Sequence, residues 1–271
     1  LPQTAATTHE IFCRGASYLT CDRNGRIWLN ASLYGIVSAT ARPRRLVSHK
    51  LPHPFTNNYN ISALAYDKKD NLWIGIANHG VIRVESDGTT TDMTNLLGNS
   101  QQPLGFKVNA IKQINGNYIF GTEYDGLILA TDEEDVITFN QDNTAWLRDN
   151  CIYAIHEDCE GNLMLGTWKG VSVMYNNYKG QYLTNPDIHG IINDAHIRHI
   201  IQDRKGNYWL SSKNKGLLCL YGNVHNPASL QIKVYNRTID SSRQIMEVYR
   251  TIEDYNGHIW VCSDAGLMLY D

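Results

Sequence analysis

Between Val248 and Asp271 three short runs alternate apolar and polar residues, separated by two glycine-containing breaks, Asp254–Gly257 and Ser263–Gly266. A period of two predicts half-buried strands, and the breaks predict tight hairpin turns. Three small strands do not hold together alone in water. The chain writes the unit again, at Ala16–Ala31, Ile61–Ile76, Ile152–Thr167 and Ile197–Ser212, with a degenerate copy at Val108–Thr122. Aligned on the turn, Gly25, Asp70, Gly116, Gly161, Gly206 and Gly257 follow one another at steps of 45, 46, 45, 45 and 51 residues. A near-fixed period of this size with all-strand content predicts an all-β propeller of four-stranded antiparallel blades, six units visible and six or seven in the ring.

Each position in the unit has a physical task. The first run is expected to form the innermost strand. The Asp-x-x-Gly turn supplies a side-chain acceptor for turn amides and a residue at positive φ. Trp28, Trp73, Trp209 and Trp260 share one register, three residues after the turn position, with Ile119 and Met164 in two copies. Large flat side chains there are expected to pack between blades. Gly75, Gly121 and Gly166 follow two residues later, where a side chain would crowd the neighbouring blade. Weak fourth strands are expected at Arg45–Ser48, Thr91–Thr94, Val136–Phe139, Gln181–Thr184 and Gln231–Tyr235, and no stretch has sustained helical periodicity. Residues 1–15 read as a lead-in whose run Ile11–Cys13 could supply the outer strand of the last blade and remove two open edges. Residues 16–271 then form one domain.

Composition narrows the partners. The chain is 42% hydrophobic with a net charge of −3, giving no electrostatic footprint for nucleic acid and no polybasic membrane patch. No run approaches the roughly 18 apolar residues of a membrane span, and the first residues do not read as a signal peptide, as a processed N-terminus also would not. The six cysteines lack metal or CxxC spacing, several fall in strand patterns as small apolar residues, and they do not fix the compartment. No cofactor or metal motif is present: HExxH, GxSxG, P-loop and GxGxxG are all missing. Glu157 and Asp158 recur as Glu253 and Asp254 at the repeat's turn, which makes them scaffold rather than an acid/base pair.

Candidate binding residues come from the face where the loops entering each innermost strand meet the turns between second and third strands. Unlike the packing positions, these differ from blade to blade. The turns contribute Tyr34, His79, Glu123, Tyr124, Asp125, Trp168, Lys169 and Lys213, and the entering loops Phe55, Tyr59, Trp146, Arg148, His189, His196 and Arg243. Aromatic members could stack on a sugar ring while charged ones hold its polar groups. Taken singly, most such residues are solvated loop positions; only their concentration on one face singles the group out.

The unit Ile-x-x-Ile-x-x-Asp-x-x-Gly-Asn-x-Trp-x-Gly-Thr-x-x-Gly-Leu resembles the two-component regulator propeller repeat. The match is best at Asp203–Trp209, Asp254–Trp260 and Gly161–Thr167. Departures are Asp70 for the turn glycine, Ile114 for the turn aspartate, and Asn30, Ser211 and Cys262 for the second glycine. The resemblance implies a periplasmic or extracytoplasmic, non-catalytic sensor domain of a hybrid two-component protein of gut Bacteroidetes. Glycan breakdown products would be its cue, and a homodimer of the longer protein its signalling unit. It carries no ligand residue over, because the motif marks scaffold. Two other readings stand beside it: a protein-docking propeller of a surface or secretion assembly, and a carbohydrate-active or streptogramin-lyase-like propeller enzyme.

Overall fold

The computed structural model describes residues 60–98, 107–131, 135–237 and 243–270, together with the backbone of four strands before them. Those four, Leu19–Cys21, Ile27–Ala31, Gly35–Ala39 and Leu46–His49, form blade one. Blade two comprises Ile61–Tyr66, Leu72–Ile76, Gly80–Val84 and Thr90–Asp92, and blade three Val108–Ile114, Asn117–Thr122, Leu127–Ala130 and Val136–Phe139. Blade four is Ile152–Glu157, Leu163–Thr167, Gly170–Met174 and Gly180–Tyr182, and blade five Ile197–Gln202, Tyr208–Ser212, Leu217–Tyr221 and Gln231–Tyr235. Blade six has three described strands, Val248–Glu253, Ile259–Ser263 and Gly266–Tyr270. Every sheet is an antiparallel meander in chain order, and the first strands of successive blades lie against one another. This is a β-propeller, with the first run innermost as the pattern predicts. The expected closing strand at Ile11–Cys13 lies outside the described residues.

The core is a series of layers between blades. Trp73 and Val81 of blade two pack on Tyr118, Phe120 and Ile128 of blade three, with the Trp73 and Tyr118 rings 4.2 Å apart. Ile119 and Leu127 meet Ile152, Leu163 and Leu165 across the next interface. Met164 and Val173 meet Ile200 and Leu210, and Trp209 meets Val248, Ile259 and Val261. The second glycine makes this approach possible. A Cβ on Gly166 would lie 2.8 Å from Ile197 Cγ2 and 2.9 Å from the Ile197 carbonyl, on the inner strand of the following blade. Where Ser211 replaces that glycine, its hydroxyl pairs with Thr251 Oγ1 at 2.9 Å instead.

The turn aspartate does more than cap its turn. Asp203 Oδ1 accepts from the amides of Lys205 and Asn207, and Oδ2 accepts from Asn207 Nδ2 and, at 2.8 Å, from the indole Nε1 of Trp209. Asp67–Trp73 and Asp254–Trp260 repeat the bond, each at 3.0 Å. The repeat tryptophan therefore packs through its rings and is also tethered through its polar edge. In blade four, where Met164 stands in for tryptophan, Asp158 Oδ2 accepts from the Tyr208 hydroxyl of blade five at 2.9 Å. In blade three both partners are gone, and Ile114 and Ile119 are buried in one apolar cluster. Losing both ends of a buried polar pair leaves no orphan, which explains why the degenerate copy still folds.

Among the described residues helix is confined to a four-residue turn at His189–Ile192 and two 3-10 turns, Thr94–Leu97 and Pro227–Ser229. Among the described cysteines, Cys219 is buried as expected of a strand position, but Cys159 and Cys262 are exposed. Cys262 belongs to the face of blade six turned away from blade five, with Ile252 and Leu267, and that face is exposed. Among the described residues no helix is long and apolar enough to cross a membrane.

Candidate functional site

Among the described residues the repeat builds one rim position in each of blades two to six. The residue after the second strand donates its amide to the loop entering the first: Ala77 to Asn60, Glu123 to Lys107, Trp168 to Cys151, Lys213 to His196 and Asp264 to Glu247, at 2.9–3.1 Å. The hydroxyl ending the second strand closes the same turn. Thr167 Oγ1 donates to the Gly170 carbonyl at 3.0 Å and accepts from the Lys169 amide at 3.0 Å, and Thr122 and Ser263 do likewise. The main-chain bond thus holds the backbone alike in blades two to six, reinforced by the hydroxyl in blades three, four and six, while the side chain is free to differ. Ala77, Glu123, Trp168, Lys213 and Asp264 are the five chemistries displayed.

Between blades four and five these rim residues border a cavity of about 700 Å³ lined by Gln141, Arg148, Trp168, Lys169, Asn193, Asp194, His196 and Asn214. Trp168 is 37% exposed, an unusual state for tryptophan in a chain with so many buried rings. The imidazole of His196 stacks on it, ring centroids 4.1 Å apart and planes 26° from parallel. The Lys213 ammonium lies 5.5 Å from the Trp168 ring centroid, a cation–π approach, and the Tyr153 ring lies 5.9 Å away. Burial, followed by the nearby charges of Lys213 and Arg198, holds the His196 pKa below its ordinary value, so the imidazole is neutral at pH 7. Its Nδ1 is buried and has no hydrogen-bond partner among the described residues.

The walls are pinned from behind. The His196 amide donates to Asn214 Oδ1 at 3.0 Å, while Asn214 Nδ2 donates to the Asp194 carbonyl at 2.7 Å. Asp149 accepts the Cys151 amide and pairs with Lys169 Nζ at 3.3 Å. Arg148 donates its amide to Ser172 Oγ, and its guanidinium lies 5.0 Å over the Tyr182 ring.

Of the residues singled out by sequence, Arg148, Trp168, Lys169 and His196 line this cavity, and Lys213 covers one of its aromatic walls. Glu123 lies one blade along the rim, accepting from Asn109 Nδ2 at 2.9 Å and from the Tyr153 hydroxyl at 3.4 Å, with Lys107 Nζ at 3.9 Å. Tyr124 is exposed beside it, and burial raises the pKa of Asp125. Arg243 donates to the Asp264 carbonyl at 2.6 Å on blade six, and His79 belongs to the blade-two turn. Trp146 lies elsewhere, packed on Phe139 in the apolar layer between blades three and four and filling the space above Gly180. Tyr34, Phe55 and Tyr59 lie outside the described residues. Asp149, Tyr153, Asn193, Asp194 and Asn214 escaped the sequence reading as individuals. Their signal was positional, since all but Tyr153 fall in the entering loops or turns already assigned to this face.

Among the described residues no group of three or more His, Cys, Asp or Glu side chains is placed to hold a metal ion. No protein-family model matches the chain, and no curated protein is significantly similar to it. Solved structures are. The extracellular domain of a hybrid two-component system from B. thetaiotaomicron aligns at a TM-score of 0.74 and 22% identity over 93% of this chain and 33% of that one. Virginiamycin B lyase from Staphylococcus aureus aligns at 0.67 and 11% identity, over 94% of this chain and 84% of the lyase. A surface component of the type-IX secretion system of Porphyromonas gingivalis aligns at 0.67 and 13%, over 94% of this chain and 38% of its own length. What all three share with this chain is the propeller fold. The chain spans about a third of the length of the first. At these identities the likeness carries the scaffold and not the rim, which agrees with a repeat whose constant positions are all structural.

Proposed function

We propose that this chain is a non-catalytic, extracytoplasmic ligand-sensing propeller, part of the sensor region of a hybrid two-component protein, and that it takes a glycan-derived ligand in the cavity between blades four and five. The observation that carries the reading is the exposed Trp168–His196 stack at the wall of a 700 Å³ cavity. A flat aromatic face beside a few polar groups is how a protein holds a sugar ring, apolar on its CH face and polar at its edge. The repeat's resemblance to the two-component regulator propeller and the fold shared with a sensor's extracellular domain support the signalling assignment. The periplasm is the compartment that such a sensor needs. Ligand seated across two blades would bias the relation between two protomers of the longer protein, provided it binds their two arrangements unequally.

A thermal-shift screen of the purified chain against oligosaccharides tests this. A ligand at about 100 times its dissociation constant adds about 2.7 kcal/mol of stability. The expected result is a hit abolished by Trp168→Ala, with Tyr124→Ala reporting whether the ligand extends along the rim toward blade three. Silence across the panel, or hits indifferent to Trp168→Ala, would remove the glycan reading. The fold is also shared with a lyase, so mass spectrometry of each hit after incubation is the second arm. Any cleaved product would overturn the non-catalytic assignment.

A further inference from the structure

We infer that the cavity between blades four and five is built for an acidic ligand, a short oligosaccharide carrying carboxylate or sulfate groups, with Arg148 and Lys213 as the residues that read the charge. This rests on the glycan reading above and goes beyond it by assigning the ligand's charge. The chain as a whole has a net charge of −3, yet three cations, Arg148, Lys169 and Lys213, converge here. Lys169 is already neutralised by Asp149 at 3.3 Å. Arg148 and Lys213 make no salt bridge among the described residues; each is held over an aromatic ring, Arg148 over Tyr182 and Lys213 over Trp168. Asp194, exposed on the lining, is the acid left to oppose them, so the site keeps an excess of positive charge.

The state of Arg148 is the sharper observation. Its Nε is buried with no hydrogen-bond partner among the described residues, while its guanidinium carbon lies 5.0 Å over the Tyr182 ring. A buried donor on a charged group without a partner is costly, and a ligand carboxylate or sulfate presents the paired oxygens that a guanidinium fork matches. Neutral hydroxyls would satisfy the donor without the charge, and would leave two half-buried cations without a counter-charge at a concave site. The rest of the lining suits the neutral parts of such a ligand. Trp168 offers its exposed ring surface, and Asn193, Asp194 and the free Nδ1 of the neutral His196 offer partners for hydroxyls.

The test is isothermal titration of the 271-residue chain with oligogalacturonates and oligoglucuronates of two to four residues. The methyl esters of the same compounds, equal in shape and free of charge, and neutral oligosaccharides of matched length are titrated alongside. The expected result is binding by a member of the acidic set, at least tenfold weaker for its ester and weaker still as salt is raised. Arg148→Gln and Lys213→Gln are each expected to weaken it about tenfold. Their main-chain hydrogen bonds are untouched, and an unchanged melting temperature would establish that each variant is folded. Lys213→Gln carries the test alone if Arg148→Gln does not fold. Binding of a neutral sugar or an ester as tightly as the acid, still lost with Trp168→Ala, would overturn the charge assignment and leave the glycan reading standing. Silence from all sets would overturn both.

Discussion

Two glycines of the repeat look alike in sequence and act through different physics. Gly206 adopts φ of +86°, and a Cβ there would meet nothing within 4 Å. Gly166 has no positive φ, but a Cβ would strike the Ile197 carbonyl at 2.9 Å. Gly206→Ala is therefore expected to cost about 1 kcal/mol through backbone strain alone. Gly166→Ala should cost about 2–3 kcal/mol, because the obstacle is main chain and the two blades must part. Chemical denaturation of both variants checks the order, and an equal loss would refute the separation of causes. Asp70 holds the turn position in blade two at φ of 63°, the same conformation as the glycines of the other described copies. An aspartate tolerates that region better than most residues, which is how the repeat survives the substitution.

At the scale of the element, blades two, five and six are fastened by a polar clasp inside them, and a second polar contact joins each of blades two to six to its neighbour. Inside, Asp203 holds its turn and the Trp209 indole with one carboxylate. Trp209→Phe should cost about 1.5 kcal/mol, one charge-assisted hydrogen bond, whereas Asp203→Ala should cost about 3 kcal/mol because two amides and two side-chain donors lose their acceptor. A double-mutant cycle that gives no coupling between the two sites would show that the indole bond contributes nothing. Between blades, the residue before the turn aspartate reaches back to the previous turn. Gln113 accepts from the Lys68 amide and Gln202 from the Cys159 amide, and Glu253 accepts from the Arg204 amide. Glu157 pairs instead with Lys112 at 3.8 Å. The recurrence of Glu157–Asp158 and Glu253–Asp254 was legible in sequence as scaffold. That the first member of each pair joins blades was not, since no period within one blade reveals a bond to the next.

At the scale of the whole molecule, basic side chains line up on the inner strands of blades three to six. Lys112, His156, His199 and Arg250 stand on four successive inner strands, near enough to act on one another's charge. Burial first, then Lys112, pushes the His156 pKa down to about 4; burial first, then Arg250 and His156, takes His199 down to about 3. Both are neutral in the fold at pH 7. In the unfolded chain each takes up a proton below about 6.5, so the unfolded state binds more protons as pH falls from 6.5 to 4. Stability should accordingly be full above 6.5 and fall through that window, by at most about 1.4 kcal/mol per pH unit for each histidine. The turn carboxylates Asp67 and Asp158 have lowered pKa values, depressed by hydrogen bonds that outweigh their burial, and contribute losses only below about pH 4. Unfolding midpoints at pH 7, 5.5 and 4.5 for the wild type and for His156→Asn with His199→Asn would check this. The paired variant is expected to flatten the slope, and an unchanged slope would refute neutral burial.

The sequence alone determined the unit, its spacing and the strand order within a blade, and it singled out the loop face as the one whose residues vary from blade to blade. These follow from local rules: a period of two, a turn residue at positive φ, and a ring and a glycine at constant offsets. The outer strand Val136–Phe139 and the inner strand Ile197–Gln202 were both readable in that way. The tertiary structure alone decided which rim residues meet. Trp168 and His196 are 28 residues apart and stack because two blades set their turns side by side. Trp146, as aromatic as Trp168 and on a loop of the same face, turned inward because Phe139 and the bare backbone of Gly180 left it an apolar seat. Burial of a loop side chain depends on what lies across the interface from it, and one blade's sequence holds no record of that.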